Sequence, residues 1–205
     1  MAATCTFQYL LFSLLVSLLV VEGKVPEPCT RYECPTYDVV QVEKDYEIRR
    51  YNSPVWISTD PIQDTSVVPA TVTGVKRLFS YINGNNNESK EIKMAAPVAT
   101  EVSVSGGKSS FVVSFYLPKV NQANPPSANG VNVQRWKTKY AAVREFGGFV
   151  TESVVANQVA ALNASIAGTK WSSKVPKSYT VAQYNSPFEL INRVNEIWFL
   201  YDYED

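Results

Sequence analysis

The sequence of 205 residues contains no histidine. Its absence removes the commonest general base, the Ser-His-Asp and Cys-His nucleophile systems, and the usual protein ligand of zinc and heme iron. No complete phosphate-binding loop is present either. The segment Gly106-Gly107-Lys108-Ser109 matches only the end of such a loop, and its place between two predicted strands indicates a hairpin turn. We therefore expect a binding protein and not an enzyme.

Charge of one sign is also lacking, because 19 Lys and Arg residues balance 19 Asp and Glu residues. This balance gives no electrostatic basis for binding nucleic acid, and no block of like charges is present that would hold the chain on an anionic membrane surface. Hydrophobic residues make up 45% of the chain, as in ordinary globular proteins. The composition predicts one domain with a sizeable core.

Long apolar runs are limited to residues 10–21, a run that is broken by Ser13 and Ser17. It is shorter than the roughly 20 residues of a spanning helix and precedes small residues around Gly23, although no Lys or Arg comes before it. This pattern predicts a signal peptide over residues 1–23, with no integral membrane segment after cleavage. We expect the secretory pathway as the destination, either outside the cell or in the vacuole.

Cysteine is scarce, and Cys5 would leave with the signal peptide. Cys29 and Cys34 remain, in a linker over residues 24–35 that precedes the folded domain at residues 36–205. In an oxidising compartment they are expected to form a short-loop disulfide, whereas two free thiols or half of a metal site is the alternative. Asn87 and Asn163 both satisfy the N-glycosylation pattern, and Asn87, in a polar loop, is the better candidate.

Apolar residues at steps of three and four predict two helices. The first is expected to have Pro69 in its first turn and to end before Gly84, and the second to run from Thr151 to about Gly168. Each helix is expected to bury its stripe against a sheet. The stripes are Val68, Val72, Val75, Phe79 and Ile82 in the first helix, and Val155, Val159, Leu162 and Ile166 in the second.

Segments rich in Val, Ile and Tyr between turn residues predict the strands. Two strands joined at Lys44-Asp45 are expected within residues 37–51, and a hairpin is expected around Gly106-Gly107. The two halves share an order of one strand, one helix and two strands. This order predicts an α+β fold from two β-α-β-β pseudo-repeats, with two helices packed on a curved antiparallel sheet or distorted barrel. The predicted strands cover residues 37–51, 55–59, 98–104, 110–117, 131–138, 139–146, 179–184 and 193–201.

Several stretches of the sequence resemble the SOUL heme-binding family, in family order and over nearly the whole chain after the signal peptide. They are Tyr46-Glu47-Ile48-Arg49-Arg50-Tyr51, Phe79-Ser80-Tyr81-Ile82-Asn83-Gly84-Asn85, Ile92-Lys93-Met94-Ala95-Ala96-Pro97-Val98, Tyr184-Asn185-Ser186-Pro187 and Arg193-Val194-Asn195-Glu196-Ile197-Trp198. The signal peptide and the cysteine pair make the chain most similar to secreted plant-type members. The resemblance implies a distorted antiparallel β-barrel that binds heme or another tetrapyrrole.

The resemblance also implies where the ligand lies, namely in an apolar groove between the first helix and the loop before the last strand. Two departures from the family are apparent: Arg50 stands where some members carry a proposed histidine ligand, and Val72, Ser80 and Glu189 stand at basic positions of the pocket. Propionate groups would then depend on Lys76 and Arg77, whose alternative role is to form a solvated helix face. The candidate ligand-binding residues are Pro69, Val72, Thr73, Lys76, Arg77, Phe188 and Leu190.

Three functions remain open at this point. The first is a carrier, buffer or scavenger that holds a tetrapyrrole by apolar contact without histidine ligation. The second is a protein-interaction module that has lost the ligand. The third is a tetrapyrrole-modifying enzyme in which Glu47 or Glu196 moves protons, although Glu196 is equally suited to satisfying buried donors.

Overall fold

The computed structural model describes residues 23–202, apart from the side chains of Ser105 and Lys174. The predicted signal peptide, except for Gly23, lies outside these residues, as does Cys5. The helices are α1 (Val67–Ile82) and α2 (Glu152–Ile166). The strands are β1 (Tyr37–Val42), β2 (Glu47–Tyr51), β3 (Val55–Thr59), β4 (Ile62–Gln63), β5 (Val98–Ser105), β6 (Lys108–Tyr116), β7 (Val131–Arg135), β8 (Lys139–Phe146), β9 (Ser178–Gln183) and β10 (Asn195–Asp202).

The strands form one antiparallel sheet in the order β1-β2-β8-β10-β9-β5-β6-β3-β7, and the short β4 also pairs with β6. The sheet curls into an open half-barrel. This arrangement confirms the predicted α+β distorted barrel, and the repeated order of one strand, one helix and two strands appears as β4-α1-β5-β6 and β8-α2-β9-β10. The β5–β6 hairpin turns at Gly106 and Gly107, which both have positive φ, as predicted.

The helix α1 packs on the sheet with a different face from the one predicted. Its buried residues are Val67, Ala70, Thr71, Gly74, Leu78, Tyr81 and Ile82, so only Ile82 of the predicted stripe is buried. The stripe lies about 110° around the helix from the buried face, given 3.6 residues per turn. The reason is close packing at the middle of the helix: a Cβ on Gly74 would lie 2.3 Å from a methyl carbon of Val113 in β6, so a glycine faces the sheet there.

The helix α2 follows the prediction more closely. The Thr151 hydroxyl caps it by accepting a hydrogen bond from the Val154 amide at 3.3 Å. Three of the four stripe residues, Val155, Leu162 and Ile166, are buried, and Val159 is half-buried. The helix ends at Ile166, two residues before Gly168, which has a positive φ.

The sheet has a core on each of its faces because side chains alternate along every strand. On β10, Ile197 and Phe199 join the core beneath the helices, whereas Glu196 and Trp198 point into the concave side of the half-barrel. The concave core is aromatic at its centre and is closed by the amino-terminal segment. Cys29 and Cys34 form the predicted disulfide there and pack against this core, so the free-thiol alternative is wrong.

Candidate functional site

An exposed row of apolar side chains runs along the outer side of α1. Val68 is 39% exposed, Val72 48% and Phe79 54%, and Val75 is half-buried between them. Apolar side chains at consecutive helical turns form one continuous strip, and such strips on a protein surface mark sites of interaction. The stripe that the sequence assigned to the core is therefore a surface available for binding.

The loop between β9 and β10 carries a second group of exposed apolar side chains. Phe188 is 91% exposed, Leu190 67% and Ile191 78%. The loop is nevertheless anchored, because Arg193 Nη1 donates to the backbone oxygens of Ser186 at 3.0 Å and Glu189 at 2.6 Å. Arg193 thus fixes the base of the loop while its apolar tip stays in solvent.

Phe149 and Glu152 each contact one of these two groups. The guanidinium of Arg193 lies 5.0 Å from the ring centroid of Phe149, which is 55% exposed. Three residues later, Glu152 Oε1 accepts a hydrogen bond from the Val68 amide at 3.2 Å, at the first turn of α1. We call the combined surface the apolar patch, which comprises Val68, Val72, Val75, Phe79, Phe149, Phe188, Leu190 and Ile191.

Some of the predicted site residues lie in this patch, and others lie beside it or away from it. Val72, Phe188 and Leu190 belong to it. Lys76 is exposed and lies about 70° around α1 from the centre of the stripe, on its solvent side, whereas Arg77 lies about 170° away. Pro69 and Thr73 lie between these two directions. Of the two basic candidates, Lys76 is the one beside the patch.

Sequence reasoning missed Phe149, Ile191 and Arg193. Phe149 directly follows Gly147-Gly148 after the end of β8, and no local pattern in the sequence marks it. Arg193 is 8% exposed, and its Nε has no hydrogen-bond partner among the described residues. Its position beside the loop follows from tertiary contacts that the sequence does not reveal.

The charge on the loop is neutralised from the disulfide segment. Arg31 Nη2 lies 3.0 Å from Glu189 Oε2, and this guanidinium, with Asn185, lowers the pKa of the Glu189 carboxyl. Glu189 thus faces away toward Arg31, in an exposed pair that contributes little to stability. Glu189, the acid at a position that is basic in the family, is therefore paired with Arg31.

Among the described residues, the patch itself offers no strong metal ligand, because every member is a hydrocarbon side chain. Cys29 and Cys34 are oxidised, and burial raises the pKa of tyrosines such as Tyr179, Tyr37 and Tyr201, to about 12 in the last two. A raised pKa disfavours the phenolate that would bind iron. Among residues 23–202, no group of three or more Cys, Asp and Glu side chains is arranged to hold a metal ion.

The concave side of the half-barrel contains a buried ion pair. Arg49 Nη1 and Nη2 donate to the two carboxylate oxygens of Glu196 at 3.0 and 2.8 Å, and both residues are almost fully buried. Glu196 Oε2 also accepts from Tyr184 Oη and Trp198 Nε1, both at 2.7 Å. Burial is the largest single influence and lowers the pKa of Arg49, but the Glu196 carboxylate and the nearby tyrosines together outweigh it, so the pKa is raised well above its usual value. Glu47, the other acid considered for proton transfer, binds Arg49 Nε.

The structure also places the two glycosylation candidates. Asn87 is exposed in the loop after α1, where its Oδ1 accepts from the Ser127 amide at 2.7 Å, and Asn163 is exposed on α2. Modification of either residue remains a prediction.

Within the described part of the chain, neither helix has the length and apolar character needed to cross a bilayer.

Comparison with known proteins gives matches over most of the chain. The sequence model described as SOUL heme-binding protein matches residues 32–200. Heme-binding protein 2 of Homo sapiens is 35% identical over 160 residues, which cover 76% of this chain and 77% of that protein, and its Mus musculus counterpart is 32% identical with the same coverage. Heme-binding protein 1 of Xenopus laevis is 27% identical and covers 77% of this chain and 86% of its own length.

Among solved structures, the EcmrR C-terminal domain superposes with a TM-score of 0.54 at 8% identity, over 82% of this chain and 99% of that domain. At this identity the likeness concerns the fold alone.

Proposed function

The chain belongs to the SOUL heme-binding protein family, and on this basis we propose that it binds heme or a related tetrapyrrole against the apolar patch, without histidine ligation. The observation that carries the proposal is the outward-facing stripe of α1. Val68, Val72 and Phe79 are each more than a third exposed, although the helix has a complete buried face of its own. Covering them with a flat apolar ring would remove this surface from water.

The rest of the patch suits the same ligand. Phe149 and Phe188 supply aromatic rings that can stack on a tetrapyrrole, and both are more than half exposed. Lys76 beside the stripe is the basic side chain in place to pair with a propionate. Such a contact is open to solvent and adds less than about 1 kcal/mol. Apolar contact would therefore supply most of the affinity.

The chemistry of the chain supports binding without a strong axial ligand. Histidine is absent, and the two cysteines of the described residues form a disulfide. Burial raises the pKa of tyrosines such as Tyr37 and Tyr179. Iron would supply its usual redox and ligand chemistry when heme is bound, but the patch would hold the ring through its flat face. This mode suits a carrier, buffer or scavenger from which the ligand is released unchanged.

A non-enzymatic role is part of the proposal. The two acids considered for proton transfer, Glu47 and Glu196, are both bound to Arg49, and Glu196 accepts two further hydrogen bonds. These contacts give both carboxylates a structural role in satisfying buried donors. The disulfide supports a route through the secretory pathway, since such bonds persist in oxidising compartments.

The proposal is tested by titrating hemin into the protein and into the variants Val72→Asp and Phe188→Asp, with tryptophan fluorescence and Soret absorbance as readouts. A carboxylate beneath the ring would have to lose its hydration, so we expect each variant to weaken binding about ten-fold or more. The matched control is Val120→Asp, because Val120 is 87% exposed and lies outside the patch. We expect this variant to bind hemin as the unchanged protein does.

The alternative of a protein-interaction module makes a different prediction for the same surface. The patch would then bind a protein partner, and hemin would give no saturable change in either signal. Equal hemin affinity of the Val72→Asp and Val120→Asp variants would also contradict the proposed site, while leaving binding elsewhere on the protein possible.

A further inference from the structure

A cleft of about 530 Å³ opens on the concave side of the half-barrel, separate from the apolar patch. The cleft exists because the strands beneath it carry small side chains on the concave face of the sheet. Ala99 of β5, Ser114 of β6 and Thr180 of β9 line its floor, and their neighbours along each strand point into the core beneath the helices. Its volume falls in the range of small-molecule sites.

The connection between β7 and β8 forms one wall of the cleft. These strands are far apart in the sheet order, so residues 136–138 cross the open side of the half-barrel between them. Trp136 points inward from this connection. Its ring centroid lies 5.2 Å from that of Trp56 with an interplanar angle of 30°, and 6.1 Å from that of Tyr51 of β2. Trp136 is half-buried and lines the cleft, where Lys139 Nζ lies 5.8 Å from its ring centroid.

The charged groups of the cleft favour a ligand with one negative charge. Its lining includes the bases Arg135, Lys137 and Lys139 and the acids Glu101 and Asp202. Lys139 forms an ion pair with Asp202, whereas the exposed Lys137 forms none with any of the residues from 23 to 202. Arg135 also forms no ion pair within the described residues, although its Nη2 donates to the backbone oxygen of Ala123 at 3.0 Å. Arg135 and Lys137 together exceed the single remaining acid, Glu101, by one charge.

Hydrogen-bond donors are also in excess in the cleft. Trp56 is fully buried and lines the cleft, and its indole N–H has no acceptor within the described chain. A buried donor without a partner is rare in folded proteins and indicates an acceptor that is not part of the chain. The side chains of Ser178 and Thr180, which also line the cleft, add two hydroxyl groups.

We propose that this cleft is a second ligand site, which takes a small aromatic carboxylate with its ring against Trp136 and its carboxylate toward Lys137 and Arg135. The aromatic wall supplies stacking, and the unpaired bases supply charge-assisted hydrogen bonds. None of the lining residues belongs to the apolar patch, so the site is independent of the tetrapyrrole site.

The test is calorimetric titration of 2-naphthoate into the full protein, with tryptophan fluorescence as a second readout and the neutral 2-naphthamide as the comparison ligand. We expect one saturable site for 2-naphthoate and weaker binding of the amide. Lys137→Glu reverses an exposed charge, and we expect it to raise the dissociation constant about five-fold. Lys108→Glu, at the exposed β5–β6 turn, is the matched control and should leave the affinity unchanged.

Two further variants distinguish the cleft from the apolar patch. Ser178→Trp fills the cleft and is expected to abolish binding of 2-naphthoate, whereas Val72→Asp on the patch is expected to have no effect. The proposal is overturned if 2-naphthoate shows no saturable binding, if the amide binds equally well, or if Lys137→Glu binds as the control does. Loss of binding in Val72→Asp would assign the ligand to the patch and would also overturn it. Because Lys137 is exposed, this test stands even if Ser178→Trp does not fold.

Discussion

Replacing Arg49 with methionine would leave the carboxylate of Glu196 buried without its counter-charge. Glu196 is fully buried, and its remaining partners would be the neutral donors of Tyr184 and Trp198. Removing one partner of a buried ion pair costs about 3–5 kcal/mol, mainly because an unpaired charge stays in the interior. We therefore expect Arg49→Met to lose about that much free energy of unfolding, measured by urea denaturation at pH 8.

A second substitution tests whether the unpaired charge is the cause. In Arg49→Met combined with Glu196→Gln, both charges are gone, while the amide oxygen still accepts from Tyr184 and Trp198. We expect this double variant to recover part of the loss, to within about 2 kcal/mol of the unchanged protein.

Arg50→Met is the matched control, because the next residue on β2 points to solvent and pairs with Asp38 at the exposed edge. An exposed pair contributes less than about 1 kcal/mol. The reasoning is refuted if Arg49→Met is as stable as Arg50→Met, or if adding Glu196→Gln to Arg49→Met lowers the stability further.

Three other perturbations are expected to have defined outcomes. Gly74→Ala would force a Cβ to within 2.3 Å of a methyl carbon on β6. We expect the free energy of unfolding in urea to fall by about 1–3 kcal/mol, although alanine has the better helix propensity. A gain in stability would contradict the close packing of α1 on β6. Burial raises the pKa of Tyr51 and Tyr184, so the stability that they contribute is fully present below about pH 10 and is lost as the pH rises through the raised pKa values. Tyrosinate absorbance at 295 nm should therefore increase together with unfolding. Ordinary titration of every tyrosine in the folded protein would refute this prediction. Replacing Cys29 and Cys34 with serine opens a short loop and should cost about 2 kcal/mol, and complete unfolding of this variant at 25 °C would show a larger role.

Most of the fold could be predicted from the sequence because its signals are local. The interruption at Lys44-Asp45 and the turn at Gly106-Gly107 separate strands where the structure separates them, and Thr151 caps α2 as expected. The short β4 was missed because two residues give no detectable alternation.

The buried face of α1 could not be predicted from hydrophobicity alone. The helix carries a bulky stripe that includes Val72 and Phe79, and beside it a face of mixed residues that includes Ala70 and Gly74. Hydrophobicity favours the bulky stripe, but the close approach of the helix to β6 requires the small residues. The error matters for function, since it assigned to the core the side chains that form the apolar patch.

The candidate site depends on contacts between residues that are far apart in the chain. Arg49 and Glu196 are separated by 147 positions and Phe149 and Arg193 by 44, and no local pattern relates them. Sequence reasoning could name the helix and the loop through the family resemblance. It could not show that Phe149 contacts Arg193 at the base of the loop, or which face of α1 is exposed.

The most direct test of the central claim is to measure the dissociation constants of hemin and of metal-free protoporphyrin IX side by side. Binding by apolar contact without a strong axial ligand predicts that the two constants agree within about three-fold, with a Soret band only slightly shifted from that of free hemin. Val72→Asp is then expected to raise the dissociation constants of both ligands by the same factor. Hemin binding a hundred-fold tighter than protoporphyrin IX, with a sharp and strongly shifted Soret band, would show that an iron ligand controls the affinity and would contradict the account.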